Sequence, residues 1–372
     1  MEYLGKNIPK LGFGLMRLPL IGEEIDIEQT KQMVDLFLAK GFTYFDTAYG
    51  YNNGKSEEAA KIALVDRYPR ESFQLATKLP AWNANSAEEA KEMFKTSLRR
   101  TGAGYFDFYL MHNINEKRKK TFDKYKIWDY LRELKQKGLV RHIGFSYHDK
   151  AALLDSILTE IPDVEFVQLQ INYADWENDF VESRKCYEVA LKHNKPVIIM
   201  EPVKGGVLAN PSPKIRQIFQ EADPQASLAS WAIRFAASLD KVITVLSGMS
   251  TLEQMQDNLS YMENFRPLDD KERAVIQRAQ EALKEIPSIP CTSCQYCVKD
   301  CPQQIHIPTF FLALNRNLIY DDFKGAQYEY KNAMRFGSQD PSQCIACGNC
   351  EDVCPQQLNI IESLKEAVKL FG

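Results

Sequence analysis

Near its C-terminal end the chain carries two cysteine runs of one spacing, CTSCQYCVKDCP and CIACGNCEDVCP, both C-x2-C-x2-C-x3-C-P. Of nine cysteines, only Cys186 lies before these runs; the other eight fall between Cys291 and Cys354. Such dense thiols either pair as disulfides or hold metal. The N-terminal residues MEYLGKNIPKLGFG lack the charged-then-apolar order of an export signal, so a cytoplasmic protein is expected. In that compartment thiolate ligation of metal is the better reading.

The spacing is that of the bacterial ferredoxin run, where three cysteines of a run hold one 4Fe–4S cluster and the fourth reaches the other. By that crossing rule Cys291, Cys294, Cys297 and Cys354 hold one cluster, and Cys344, Cys347, Cys350 and Cys301 hold the second. Zinc could use pairs of C-x2-C, but it leaves the third cysteine and the Cys-Pro of each run without a purpose. CPQQIHIP follows the first run and CPQQLNII the second, so the module consists of two related halves. The long, helix-patterned segment between Cys301 and Cys344 resembles the α-helical ferredoxin domains of respiratory and heterodisulfide reductases. Two clusters suit electron transfer to or from a partner protein. A structural or sensing role stays open, because nothing in the sequence sets a potential.

From residue 10 to about 260, short β-rich runs alternate with helical patterns. The strand candidates are KLGFGLMRL, TYFDTA, FQLATKL, YFDFYLM, RHIGFS, FVQLQINY, PVIIME and VITVLSG, each short and rich in branched or aromatic side chains. IEQTKQMVDLFLAKG ends on Gly41 at a helix C′ position, and SAEEAKEMFKTSLRRTG opens on a Ser86/Glu89 capping box and closes on Gly102. Eight strands with intervening helices predict an α/β fold, a closed (β/α)8 TIM barrel, followed by a smaller, mainly helical iron–sulfur domain. The sequence after the first strand, GFGLMRLPL, is not the phosphate loop of an open doubly wound sheet. A charged amphipathic helix, residues 269–286, precedes the breaker PSIP, which places the domains at 1–286 and 287–372.

In a parallel barrel all strands present their C-terminal ends to one face, and the active site sits there. Polar residues at the ends of strands two, three and four are Asp46, Lys78 and His112, on neighbours roughly 4.8 Å apart. Tyr51 follows Asp46 in the loop DTAYGYNNG and can fold back over them. A phenol is a poor acid at neutral pH; an ammonium beside it stabilises the phenolate. Asp46 would keep Lys78 charged, and His112 would orient a carbonyl oxygen placed between it and Tyr51. The four suit protonation of an oxygen while hydride arrives at carbon.

These residues, with GFTYFDTAYGYNNGKSEE, ATKL, DFYLMHN and RHIGFS around them, resemble the aldo-keto reductase family, whose Asp, Tyr, Lys and His tetrad matches Asp46, Tyr51, Lys78 and His112. The resemblance covers about residues 8–265. It implies reduction of an aldehyde or ketone to an alcohol, or the reverse, with NADP(H). It implies a nicotinamide held by Ser146 and Gln168, a pyrophosphate approached by the backbone around Val203, Gly205 and Gly206, and a further cofactor residue in Asn258. Tyr147 stands where the family usually has asparagine, and Met200 and Glu201 stand where it stacks an aromatic on the nicotinamide. Gly248, Met249 and Gln254 replace the basic grip on the 2′-phosphate, which leaves NADP(H) or NAD(H) open.

A net charge of −4 with no long basic run gives no footprint for nucleic acid. No stretch approaches the roughly 18 apolar residues of a membrane span. The partners expected are therefore a small carbonyl or alcohol substrate and an electron-transfer protein. A hydride donor moves two electrons and a cluster one, and no flavin site is evident in the sequence. The competing reading is a nicotinamide-binding redox sensor, or clusters that are purely structural.

Overall fold

The computed structural model describes residues 3–179, 181–335 and 337–372. Eight parallel strands close into a barrel: β1 (Leu11–Gly14), β2 (Tyr44–Asp46), β3 (Gln74–Leu79), β4 (Phe106–Ile114), β5 (Val140–Tyr147), β6 (Phe166–Gln170), β7 (Val197–Met200) and β8 (Val242–Ser247). β1 pairs with both β2 and β8, so no strand of this sheet is left as an edge. Each strand lies on one of the eight β-rich runs. The two-stranded hairpin Leu20–Ile21/Glu24–Ile25 was not expected, being too short for alternation to register.

The connecting helices start and stop where side-chain chemistry dictates. Asp26 accepts the Gln29 N–H at 3.0 Å and opens helix Ile27–Ala39; Gly41 follows its end with φ 81°. Ser86 accepts the Glu89 N–H at 3.1 Å and opens Ala87–Thr101. Glu89 returns its carboxylate to the N–H of Asn85, one residue before the position a standard capping box uses. Gly102 closes that helix with φ 63°.

Tyr44, Ala76, Phe108, Leu110, Phe166 and Ile198 pack together in one buried cluster, with Leu4 and Ile8 against it. The period of two along each strand then places Asp46, Lys78, His112 and Gln168 on the same side as that cluster, one step nearer the C-terminal ends. The apolar layers thus form a floor under the polar one.

By internal contacts the chain divides into two compact units. The first is Met1–Asn178, Glu182–Pro202 and Ala229–Asp269; the second is Asp179–Val181, Val203–Leu228 and Asp270–Gly372. The second therefore takes in Val203–Leu228 and helix Asp270–Leu283 as well as the cysteine-rich segment. Within it, helices Ile307–Tyr320, Phe323–Arg335 and Ile360–Phe371 bury Phe310, Phe311, Leu314, Tyr330, Leu364 and Phe371. The duplication is visible in the backbone. Ser293, Gln295 and Gln304 of the first half take positive φ, as do Ala346, Gly348 and Gln357 at the equivalent places of the second. A short helix, Tyr296–Lys299 or Asn349–Asp352, carries the last part of each cysteine run.

Candidate functional site

The barrel brings the four expected residues together in the first unit. The Lys78 Nζ is ion-paired with the Asp46 carboxylate and donates to the Thr47 carbonyl at 2.8 Å and to the Tyr51 hydroxyl at 3.3 Å. It also lies 4.8 Å from the centre of the Tyr51 ring. The Tyr51 and His112 rings meet edge to face, centroids 5.8 Å apart. Lys78 is 1% exposed, so its charge has to be matched locally, and Asp46 matches it. Tyr51 opens a one-turn 3-10 segment, Tyr51–Gly54, in which Asn52 and Asn53 take left-handed conformations. That turn folds the tyrosine back over the strand ends.

Burial governs the electrostatics. It pushes Lys78 below its ordinary value, opposed chiefly by Asp46 beside it. His112 is driven well below 6.5 by burial first, then by the charges of Lys78 and Arg118 and by His148. His112 is therefore a neutral imidazole at neutral pH, able to donate one hydrogen bond but carrying no acidic proton to give.

Two mouth residues escaped the sequence reading. The Trp82 ring lies 5.5 Å from that of His112, and the Arg118 guanidinium lies 4.1 Å over Trp82. Trp82 follows β3 closely, and strand-end position alone could have flagged it. Arg118 comes from a helix, Glu116–Lys124, whose charged sequence reads as a solvated surface.

Of the expected cofactor residues, Ser146 and Gln168 are paired neighbours on β5 and β6, both buried. Burial raises the Asp46 carboxyl above its ordinary value, opposed by Lys78 and then by Gln168, and the Gln168 Oε1 has no hydrogen-bond partner. Asn258 is buried and accepts from the Ser247 hydroxyl at 2.7 Å. Tyr147 turns its hydroxyl to the Lys150 carbonyl at 2.7 Å. Glu201, with φ 55°, is ion-paired to Arg17 at 3.6 Å. Gln254 spends its side-chain carbonyl on the Ser250 N–H at 2.8 Å.

Val203, Gly205 and Gly206 belong to the second unit. There Gly205, at φ 65°, approaches the first cysteine run: a Cβ on it would meet the Thr292 carbonyl oxygen at 2.4 Å. Gly206, at φ 100°, has nothing within 4 Å of such a Cβ.

Cys301, Cys344, Cys347 and Cys350 line one pocket, with Ile305, Ile307, Ile361 and Leu364 as apolar wall. Burial, and then the neighbouring Cys294, Cys291, Cys354 and Cys350, push the Cys297 thiol up. One N–H is aimed at sulfur: that of Ser293 donates to the Cys291 Sγ at 3.4 Å, while the Gln357 N–H donates to the Cys354 carbonyl at 3.1 Å. Four thiols against an apolar wall fit a cluster of iron and sulfide. Among the described residues no three His, Cys, Asp or Glu side chains are placed to hold a single metal ion.

The aldo/keto reductase family model matches residues 10–281, and the 4Fe-4S dicluster domain model matches residues 290–359. An aldo-keto reductase of Mycolicibacterium smegmatis is 32% identical over 143 residues, 38% of this chain and 47% of that protein, so the match spans about half the relative's length. The uncharacterized oxidoreductase YqkF of Bacillus subtilis is 25% identical over 305 residues, 73% of this chain and 92% of that protein. Among solved structures, the holo form of aldo-keto reductase AKR11C1 from Bacillus halodurans superposes with a TM-score of 0.60 at 25% identity, covering 75% of this chain and 95% of its own. An aldo-keto reductase from Klebsiella pneumoniae in complex with NADPH shares the fold, with a TM-score of 0.57 at 20% identity, over 73% of this chain and 90% of that one. Among the described residues no helix is long and apolar enough to cross a membrane.

Proposed function

The chain belongs to the aldo/keto reductase family of oxidoreductases and carries a C-terminal 4Fe-4S dicluster domain; we propose that it reduces an aldehyde or ketone to an alcohol, or runs the reverse reaction, with NADP(H) or NAD(H). The observation that carries this reading is the single nitrogen of Lys78, ion-paired to Asp46 and 3.3 Å from the Tyr51 hydroxyl. A bound reduced nicotinamide supplies a hydride to the carbonyl carbon. The protein's part is to give a proton to the oxygen. Tyr51 holds that proton, and the Lys78 ammonium stabilises the phenolate left behind. The neutral His112 donates a hydrogen bond to the same oxygen and fixes its direction. Ser146, Gln168 and Asn258 are the residues we assign to the cofactor in the barrel, and Val203, Gly205 and Gly206 those we assign to its pyrophosphate.

We assign residues 1–286 to the reductase and 287–372 to two 4Fe–4S clusters, the first on Cys291, Cys294, Cys297 and Cys354, the second on Cys344, Cys347, Cys350 and Cys301. Bound clusters supply one-electron steps, and two of them match the two electrons of a hydride. A relay to a partner protein is the role this arrangement supports best: Cys347 is exposed, as is Ile345 beside it, which gives the second site a solvent face.

The test is anaerobic turnover of 4-nitrobenzaldehyde with NADPH and with NADH. Tyr51→Phe should lower it by about 10²- to 10⁴-fold while leaving the cofactor dissociation constant nearly unchanged. Cys294→Ser and Cys347→Ser should keep part of that activity and lose oxidation of reduced viologen by the carbonyl substrate, two viologens giving one electron each and solvent giving two protons for each alcohol formed. Viologen oxidation unchanged in both would remove the relay, and near-wild-type turnover in Tyr51→Phe would remove the proton donor.

A further inference from the structure

Resting on the nicotinamide reading above, we infer that Asn113 is a direct ligand of the nicotinamide carboxamide. The sequence offers no hint of this, because in a regular strand Asn113 would face away from His112.

The strand is not regular there. β4 pairs Met111 with Phe145 and then Ile114 with Tyr147, so His112 and Asn113 together oppose the one residue Ser146. This is a β-bulge, and bulges re-aim side chains beside active sites. Asn113 takes φ 54°, a conformation asparagine tolerates better than most residues. Its own N–H donates to the Ser146 Oγ at 2.7 Å, which orients that hydroxyl and leaves its proton free to be donated.

The side chain is 1% exposed, and neither its Oδ1 nor its Nδ2 has a hydrogen-bond partner. An amide buried with both ends unmade is costly and calls for a missing partner. The Gln168 Oε1, on the strand paired to Ser146, is in the same condition. Together these atoms offer donors (the Asn113 Nδ2 and Ser146 hydroxyl) and acceptors (the Asn113 Oδ1 and Gln168 Oε1). A primary carboxamide presents the complement: one carbonyl oxygen and one NH2 in a plane. The Tyr147 hydroxyl, by contrast, already gives its proton to the Lys150 carbonyl at 2.7 Å.

The experiment is a fluorescence titration of the full, anaerobically prepared protein with NADPH, NADH and their reduced 3-acetylpyridine analogues, which replace the carboxamide NH2 by methyl. Asn113→Gly removes the amide and, by suiting the positive φ, guards against a folding loss; Asn113→Asp keeps the shape of the side chain. Asn113→Gly should weaken the natural cofactor about tenfold, some 1.4 kcal/mol, and the acetylpyridine analogue far less. Asn113→Asp, without the NH2, should also weaken the natural cofactor. Equal weakening of both ligands by Asn113→Gly, or no weakening of either, overturns the assignment. Wild-type protein that binds none of the four overturns the nicotinamide reading itself, a distinct result.

Discussion

The Lys78 ammonium lies 3.3 Å from the Tyr51 hydroxyl and is held there by its ion pair with Asp46, both members of the pair almost fully buried. Positioning of the acid therefore depends on a charge that has one buried counter-ion. Asp46→Leu would leave the ammonium buried and unmatched, which costs about 3–5 kcal/mol. The double variant Asp46→Leu/Lys78→Met removes both charges and should be more stable than the single one. Urea midpoints of the single and double variants check this; a double variant less stable than Asp46→Leu would show that the pair is not the source of the loss.

His112 gives a pH signature. Its folded value lies well below 6.5, chiefly through burial, while in the unfolded chain it titrates near 6.5. The unfolded state thus takes up the proton first as pH falls. The stabilisation from a neutral buried His112 is complete above 6.5 and is lost progressively below it, by up to about 1.4 kcal/mol per pH unit. His112→Asn should flatten the acid side of the stability profile by that one proton. Parallel profiles for the two proteins between pH 6.5 and 5 would contradict the neutral imidazole.

Gly205 and Gly206 form a matched pair of probes. Both have positive φ, but only at Gly205 would a methyl group meet backbone, the Thr292 carbonyl between Cys291 and Cys294. Gly205→Ala should lower the iron and sulfide retained per chain and speed cluster loss in air. Gly206→Ala should carry only the smaller cost of its conformation. Iron content and the decay of visible absorbance compare the two; equal retention would mean that the contact does not support the first cluster loop.

These contrasts mark what the sequence could disclose. Strand ends and cysteine spacing are local, periodic signals, so the gathering of Asp46, Lys78 and His112 and the two cysteine runs are legible in the sequence. Tyr51 was legible because its loop is short. The bulge at Asn113 was not, since one extra residue in β4 shows only when its partner strand is in place. Nor was the Gly205–Thr292 approach, which joins segments far apart in the chain. Trp82 over His112 lay between: its strand-end position was readable, its neighbour Arg118 was hidden in a charged helix.

The central claim is hydride reduction of a carbonyl at the Tyr51 site, and isotope transfer tests it most directly. Anaerobic protein is given 4-nitrobenzaldehyde and NADPH deuterated at both C4 positions of the nicotinamide, and the alcohol is examined by mass spectrometry and NMR. The account predicts one deuterium on the carbinol carbon of the product and none from solvent at that position. Alcohol bearing solvent hydrogen at that carbon would contradict it, because the electrons would then have reached the carbonyl by a route other than hydride transfer.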